Sequence, residues 1–320
     1  MRDLDVRKLR VLRELSERGT VAAVAQALHL TPSAISQQLA ALSREAGVAL
    51  IEPAGRRVRL TNAGQVLLRH ADEILARVER AQAELAASAG ITAGEVTLGG
   101  FAATLSGLAL PAVGRLRASS PYLRVRVREV EHPDAFTDLA HGELDLVLVV
   151  ESRQGPPAGD GRFHRVPLLT DPYDVALPAD HRLATAPVVR LIDLAEDPWI
   201  FPHAGACLDV SVATCAAAGF TPNVVHRIGD WDSALSAVAL GLGVTLVSRL
   251  ACLSPRDGVV IRDLDVDRPC RHITAVVRRG SERAPHLLPV LEALRSVADE
   301  LTRRGAAGRA PDDRSVLLHG

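Results

Sequence analysis

Lysine is almost missing from this chain. Lys8 is the only one among 37 basic residues, which reads as a GC-rich coding bias and not as chemistry. Cysteine is also scarce. Cys207, Cys215, Cys252 and Cys270 all fall in the C-terminal half with no Cys-x-x-Cys pair, which argues against a zinc site or a disulfide framework. No apolar run approaches the ~20 residues that span a bilayer. The start, Met1-Arg2-Asp3-Leu4-Asp5, has charges where a signal peptide would place its apolar segment, so a cytoplasmic location without a membrane is expected. No Ser/His/Asp or metal-ligand constellation emerges, because His132, His141, His164 and His181 are scattered, mostly near turns. Gly241-Leu242-Gly243-Val244 lacks a third glycine and leads from helix into strand, the wrong order for a dinucleotide site. No catalytic residue, metal or cofactor is therefore expected, and the chain is not read as an enzyme.

What is present is an ordinary globular composition, 48% hydrophobic and 23% charged over 320 residues, enough for two or three domains. Net charge is −1, but residues 1–90 hold 13 Lys+Arg against 10 Asp+Glu, a slight basic excess at the N-terminal end.

That end has a clear helical rhythm. Leu9, Leu12 and Leu15 define a first helix ending near Gly19. Val21, Val24, Ala25 and Leu28 give a second, with Thr20 placed to cap it. Thr31-Pro32 is a capping residue followed by proline at the first helical position, and Ile35, Leu39 and Leu42 stripe a third helix running to about Ala46-Gly47. A tight turn around His29-Leu30 joins the last two. Ser33, Ser36, Gln37 and Gln38 lie off the buried stripe, as a helix entering the major groove requires. Val48-Ala49-Leu50-Ile51 is a short strand candidate, Ala54-Gly55 a turn, and Arg56-Arg57-Val58-Arg59-Leu60 a returning strand: a wing with arginines for phosphate or the minor groove. An ordinary helical hairpin with a solvated basic edge would share this spacing.

Residues 21–39, from Val21-Ala22-Ala23-Val24 through Thr31-Pro32-Ser33-Ala34-Ile35-Ser36-Gln37-Gln38-Leu39, resemble the helix-turn-helix of LysR-type transcriptional regulators. Gly55 to Gly64, reading Leu60-Thr61-Asn62-Ala63-Gly64 at its end, is similar to their wing and its "LT-x-AG" junction. The resemblance is specific over residues 4–89 and looser to about residue 300. It implies a sequence-specific regulator in which Thr31, Pro32, Ser33, Ser36, Gln37, Arg56 and Arg57 meet double-stranded DNA. One departure stands out: the wing opens with Leu50-Ile51-Glu52-Pro53 where the family has Leu-Phe-x-Arg, so an expected phosphate-binding arginine is missing.

From Ala63 to about Ser88, Leu67, Ala71, Ile74, Val78, Ala81 and Leu85 form a heptad seam. Packing on its own domain is one reading. The resemblance implies a homodimer through this linker helix and a homotetramer beyond it, an inverted-repeat operator, and RNA polymerase as a further partner. The expected fold is α/β: a winged helix-turn-helix over residues 1–61, a linker helix over 62–89 and a bilobal, periplasmic-binding-protein-like (type 2) effector domain over 95–302. Lobe 1 takes about 95–166 and 269–302, lobe 2 about 167–268, and residues 303–320 are expected to be a disordered tail.

Strands and helices alternate after Glu95, and the cleft between the lobes suits a small-molecule effector. Thr104 and Leu105 start the first helix of that domain, where the resemblance implies a hydroxyl against the effector and a helix cap is the alternative role for Thr104; His203, Gly205, Ala206 and Cys207, before a helix of the second lobe, are expected to face the same cleft. Trp231 is placed there too, though a buried tryptophan is more often core. Cys207 and Cys215 lie where peroxide-sensing members carry redox cysteines. Eight helical residues separate them by roughly 12 Å, whereas a disulfide needs Cα atoms within about 7 Å. Ala206 and Leu208-Asp209 flank Cys207 where a peroxidatic thiol would want an arginine and a histidine. Inert cysteines are therefore the preferred expectation, with a thiol or peroxide sensor as the alternative. From another class, a solute-binding or enzymatic α/β protein with a helical appendage would explain the second half, but neither a catalytic constellation nor an export signal supports it.

Overall fold

A computed structural model describes residues 4–55, 57–88, 94–151, 155–251, 254–265 and 268–307. They sort into two units. The first is residues 1–90 with the short segments 159–164 and 278–284; the second is residues 91–158, 165–277 and 285–320.

In the first unit, α1 (Val6–Arg18) begins where Asp5 accepts a hydrogen bond from the Arg7 N–H and stops at Gly19, whose φ of +68° is left-handed. Thr20 caps α2 (Val21–Ala27) and Thr31 caps α3 (Pro32–Ala46), each hydroxyl accepting a backbone N–H at 3.2 Å. Leu9, Leu12, Leu15, Val24, Ile35, Leu39 and Leu42 converge in one buried core. Strands β1 (Ile51–Ala54) and β2 (Arg57–Leu60) form the antiparallel wing, pairing Ile51 with Leu60 and Ala54 with Arg57. The first wing strand thus lies three residues later than the expected 48–51. Leu50 is taken by the core, its carbonyl accepts from the Thr61 N–H at 3.0 Å, and pairing starts only after it. Pro53 is tolerated because β1 has no further strand on its outer edge among the described residues.

Helix α4 (Asn62–Ser88) follows. A Cβ on Gly64 would sit 2.1 Å from the Leu50 carbonyl oxygen, so only glycine lets the helix start against the wing. The seam divides. Leu67, Ala71 and Ile74 pack into the helix-turn-helix core, whereas Ala81 and Leu85 are exposed.

The second unit contains an eight-stranded sheet. It runs β4 (Leu123–Glu129), β3 (Gly94–Gly100), β5 (Leu146–Val150), β12 (Cys270–Arg278), β6 (Phe163–Pro178), β11 (Val259–Leu264), β7 (Val188–Val189), with β10 (Thr245–Ser248) also pairing β6. Parallel pairing of β3 with β4 and β5 marks the βαβ half, and antiparallel β6 and β12 run through the middle. A parallel pair, β8 (Pro198–Phe201) and β9 (Asn223–Arg227), lies against β10 through the Trp199–Val244 bridge. Short α5 (Ala102–Thr104) leads through a π-helical segment (Leu105–Ala109) into α6 (Leu110–Ser119). The remaining helices are α7 (Asp134–His141), α8 (Gly205–Ala217), α9 (Trp231–Ala239) and α10 (Leu288–Ala307). Residues 303–307, expected in the tail, are helical: Glu300 and Arg304 pair one turn apart and the Thr302 hydroxyl donates to the Ala298 carbonyl. Residues 308–320 lie outside the described ones. Among the described residues no helix is long and apolar enough to cross a membrane.

A candidate DNA-reading helix and a cavity at Cys207

The surface of α3 sorts by helical period. Ile35, Leu39 and Leu42 point into the core, leaving Thr31, Pro32, Ser33, Ser36 and Gln37 exposed at the N-terminal end. The Thr31 hydroxyl is already committed to the Ala34 N–H as the cap. Ser33, Ser36 and Gln37 present free polar side chains beside the positive end of the helix dipole. The wing adds exposed Arg57, while Arg56 lies outside the described residues. Pro53 stands where an arginine was expected, and its neighbour Glu52 pairs with Arg59 across the wing at 2.6 Å. That pair neutralises part of the wing's positive charge.

A cavity of about 300 Å³ opens in the second unit. Its walls include Phe101, Glu131, His132, Phe136, His203, Gly205, Ala206, Cys207 and Arg271. His203, Gly205, Ala206 and Cys207 all line it; Gly205 to Cys207, expected before the helix, form the first turn of α8. Thr104, Leu105 and Trp231 do not line it. Thr104 is fully buried and its hydroxyl donates to the Phe101 carbonyl at 2.7 Å, so β3 delivers Phe101 to the wall in its place. Trp231 opens α9 and packs against the hydrophobic core below.

The residue that sequence reading missed is Arg271. Its side chain is 1% exposed, and every partner is a specific one. Nε donates to Asp171 Oδ2 at 2.8 Å, Nη2 to Ser248 Oγ at 2.9 Å and Nη1 to Cys207 Sγ at 3.1 Å. Asp171, equally buried, also accepts from the Ser248 hydroxyl at 2.6 Å and the Leu250 N–H at 3.0 Å. Phe101 and Tyr173 face the guanidinium with ring centres 4.9 and 5.4 Å from its carbon. The Tyr173 hydroxyl donates to Cys207 Sγ at 3.5 Å, and burial pushes that phenol well above its usual range. The expected absence of an arginine beside Cys207 is thereby corrected: it arrives from β12, 64 positions along the chain. A signal existed. Arg271 shares the inward alternation of Ile273, Ala275 and Val277 on one strand, an unusual position for a charge.

Cys207 is half-buried and reaches the cavity; Cys270 is exposed; Cys215 is fully buried in the core cluster that holds Trp199 and Phe201. Burial pushes the Cys215 thiol up to about 12. Both Cys207 and Cys215 sit on one unbroken helix, and the Ser211 hydroxyl caps the Cys207 carbonyl between them at 2.9 Å.

The pattern for bacterial regulatory helix-turn-helix proteins of the lysR family matches residues 6–65, and that for the LysR substrate binding domain matches residues 89–299. The chain is 29% identical over 300 residues to the DNA-binding transcriptional dual regulator OxyR of Escherichia coli strain K12, covering 92% of this chain and 96% of that protein. It is 32% identical over 283 residues to a probable hydrogen peroxide-inducible genes activator of Mycobacterium avium, covering 86% and 88%. The solved structure of a hydrogen peroxide-bound cysteine-to-serine mutant of Corynebacterium glutamicum OxyR superposes with a TM-score of 0.59 at 22% identity, covering 99% of both chains, a likeness of fold.

Proposed function

The chain belongs to the LysR family of DNA-binding transcriptional regulators, and we propose that it reads an inverted-repeat operator as a dimer controlled by a small molecule in the cavity at Cys207. The observation that carries DNA reading is the division of α3, which buries Ile35, Leu39 and Leu42 and leaves Ser33, Ser36 and Gln37 free at its N-terminal end. Arg56 and Arg57 follow the wing to the phosphates. Exposed Ala81 and Leu85 on α4 supply the apolar stripe for a partner helix, and the two-fold axis of that pair sets the symmetry of the operator. A homotetramer and contact with RNA polymerase extend this reading.

Titration of the full chain against its own upstream intergenic DNA, at several salt concentrations, tests it. Specific binding with a steep salt dependence is expected. Equal affinity for that DNA and for random sequence would refute it.

One observation favours a second reading, control by thiol oxidation. The guanidinium of Arg271 and the hydroxyl of Tyr173 both donate to Cys207 Sγ, and the sulfur is reachable from the cavity. An electropositive, partly exposed thiol of this kind is the sort that peroxides attack. The Mycobacterium avium relative named as a probable hydrogen peroxide-inducible genes activator supports it. Operator binding measured before and after hydrogen peroxide, in the parent and in Cys207→Ser, separates the readings. A response that survives Cys207→Ser removes the thiol from the mechanism.

A further inference from the structure

We propose that the cavity takes a small organic cation, an aromatic or branched-alkyl amine, whose ammonium group meets Glu131 while its apolar body lies against Phe101, Phe136 and Leu148. The inference rests on the small-molecule reading above and names the class of ligand. Its first support is that the two features able to receive an anion are already committed. Arg271 is 1% exposed and holds Asp171 at 2.8 Å, so its charge is cancelled within the protein. The first turn of α8 presents the positive end of a helix, but the chain's own carboxylate stands before it. A Cβ added at Gly205 would lie 3.3 Å from Glu131 Oε2. An incoming carboxylate or phosphate therefore meets a like charge where it would otherwise be held. Arg165 stacks 5.2 Å over the Phe136 ring, yet it does not line the cavity and gives Nη2 to the Pro156 carbonyl at 2.7 Å.

The second support is Glu131 itself. It lies between β4 and α7, with its backbone carbonyl accepting the Ala135 N–H at 2.9 Å as α7 begins. Among the described residues its carboxylate has no hydrogen-bond or ion-pair partner, so the wall carries one uncompensated negative charge. The two imidazoles beside it add nitrogens that can accept from an ammonium group. His132 meets Phe136 edge-on with ring centres 6.3 Å apart, and His203 fills the space left by Gly229, where a Cβ would come within 2.6 Å of the ring.

The third support is the division between polar rim and apolar floor. Glu131, His132 and His203 are exposed, whereas Ala135, Phe136 and Leu148 are buried. A ligand that fits must therefore be charged at one end and apolar at the other. About 300 Å³ is the lower end of the range of small-molecule sites and holds a single ring with a short chain.

Calorimetric titration of the full chain with benzylamine, benzyl alcohol and benzoate compares three charges on one ring. Benzylamine is expected to bind roughly ten- to a hundredfold tighter than benzoate, the span of one charge-assisted hydrogen bond, with the alcohol between them. Glu131→Gln keeps the shape and should bring the amine down to the alcohol. Glu131→Lys should reverse the order and favour benzoate. The Glu131 side chain is exposed, so both variants keep the fold, as circular dichroism would verify. Benzoate bound as tightly as benzylamine, or an amine preference that survives Glu131→Gln, overturns the ligand class and leaves the cavity reading standing. Selective amine binding with unchanged operator affinity does the reverse: it keeps the ligand class and removes small-molecule control. Failure of all three to bind at millimolar concentration sinks both.

Discussion

Replacing Asp171 with alanine removes the carboxylate paired with a guanidinium that has almost no access to water. Both side chains of the pair are 1% exposed. In Asp171→Ala the Arg271 Nε–H, the Ser248 hydroxyl and the Leu250 N–H all lose their acceptor at once. Breaking a buried ion pair from one side costs about 3–5 kcal/mol, chiefly because the surviving charge stays desolvated. Removing the cation by Arg271→Met is milder, about 1.5–3 kcal/mol, since Asp171 keeps two donors. The pair Asp171→Leu with Arg271→Met should cost less than Asp171→Ala alone, because no buried charge remains. Urea unfolding followed by tryptophan fluorescence reads this cleanly. The chain has two tryptophans, Trp199 and Trp231, and both belong to the second unit, so the signal follows that unit and not the helix-turn-helix. With m near ~2 kcal/mol/M, the midpoint of Asp171→Ala falls by roughly 1.5–2.5 M at unchanged slope. A loss under about 1 kcal/mol, or a double variant worse than the two singles added, would refute the claim that this charge is locked in a dry site.

Other perturbations separate the remaining parts of the argument. Gln37→Ala should cost about 1–3 kcal/mol of base discrimination, whereas Arg57→Ala should weaken all sequences alike and flatten the salt slope by about one ion, both read by anisotropy titrations over operator variants. Leu85→Glu places a charge on the open half of the α4 stripe and should shift the sedimenting species toward monomer while leaving the circular dichroism unchanged. With the Cys215 thiol pushed up to about 12 by burial, maleimide at pH 7 to 9 should label Cys270 and spare Cys215 until urea unfolds the second unit. Asp72, on α4, has its carboxyl raised from 3.8 to about 6, first of all by burial. The folded chain therefore holds that proton more tightly than the unfolded one, and the resulting stability is full below about 3.8 and lost as pH rises through 6. Asp72→Asn should remove this dependence and melt higher than the parent above pH 7, by about 1 kcal/mol once solvent screening of a part-exposed group is allowed for. Thermal melts at pH 5 and pH 8 check it.

Local patterns carried the N-terminal unit because its instructions are local. Thr20 and Thr31 start helices by hydrogen bonds within three residues, Pro32 fits the first helical position by its fixed φ, and the stripes Leu9-Leu12-Leu15 and Ile35-Leu39-Leu42 mark the buried faces. The first wing strand lies three residues later than its pattern suggests because tertiary demand intervenes: Leu50 has strand character, but the core takes it and its carbonyl goes to Thr61. The cavity was half legible. His203 to Cys207 are legible from their place at the start of a helix, whereas the Thr104 hydroxyl satisfies the Phe101 carbonyl instead of looking outward. Nothing near Cys207 in sequence announces Arg271, Asp171 or Ser248. They come from three different strands, and only the sheet order places them side by side.

That sheet order also sets how strong a signal from the cavity is. Asp171 is on β6, Arg271 on β12, Ser248 ends β10 and Cys207 begins α8, so one cation is shared among four elements. An adduct or ligand that takes only the bond from Nη1 to Cys207 changes a single charge-assisted hydrogen bond, about 1.5–3 kcal/mol. If that bond exists in one of two conformations, their ratio moves by roughly ten- to a hundredfold. Moving an equilibrium from 1:99 to 99:1 takes about 5.5 kcal/mol, which one bond does not reach. Chemistry confined to Cys207 therefore tunes the balance in a graded way. A complete switch requires the perturbation to extend through Arg271 to its pair with Asp171, the interaction whose loss is large enough to supply the difference.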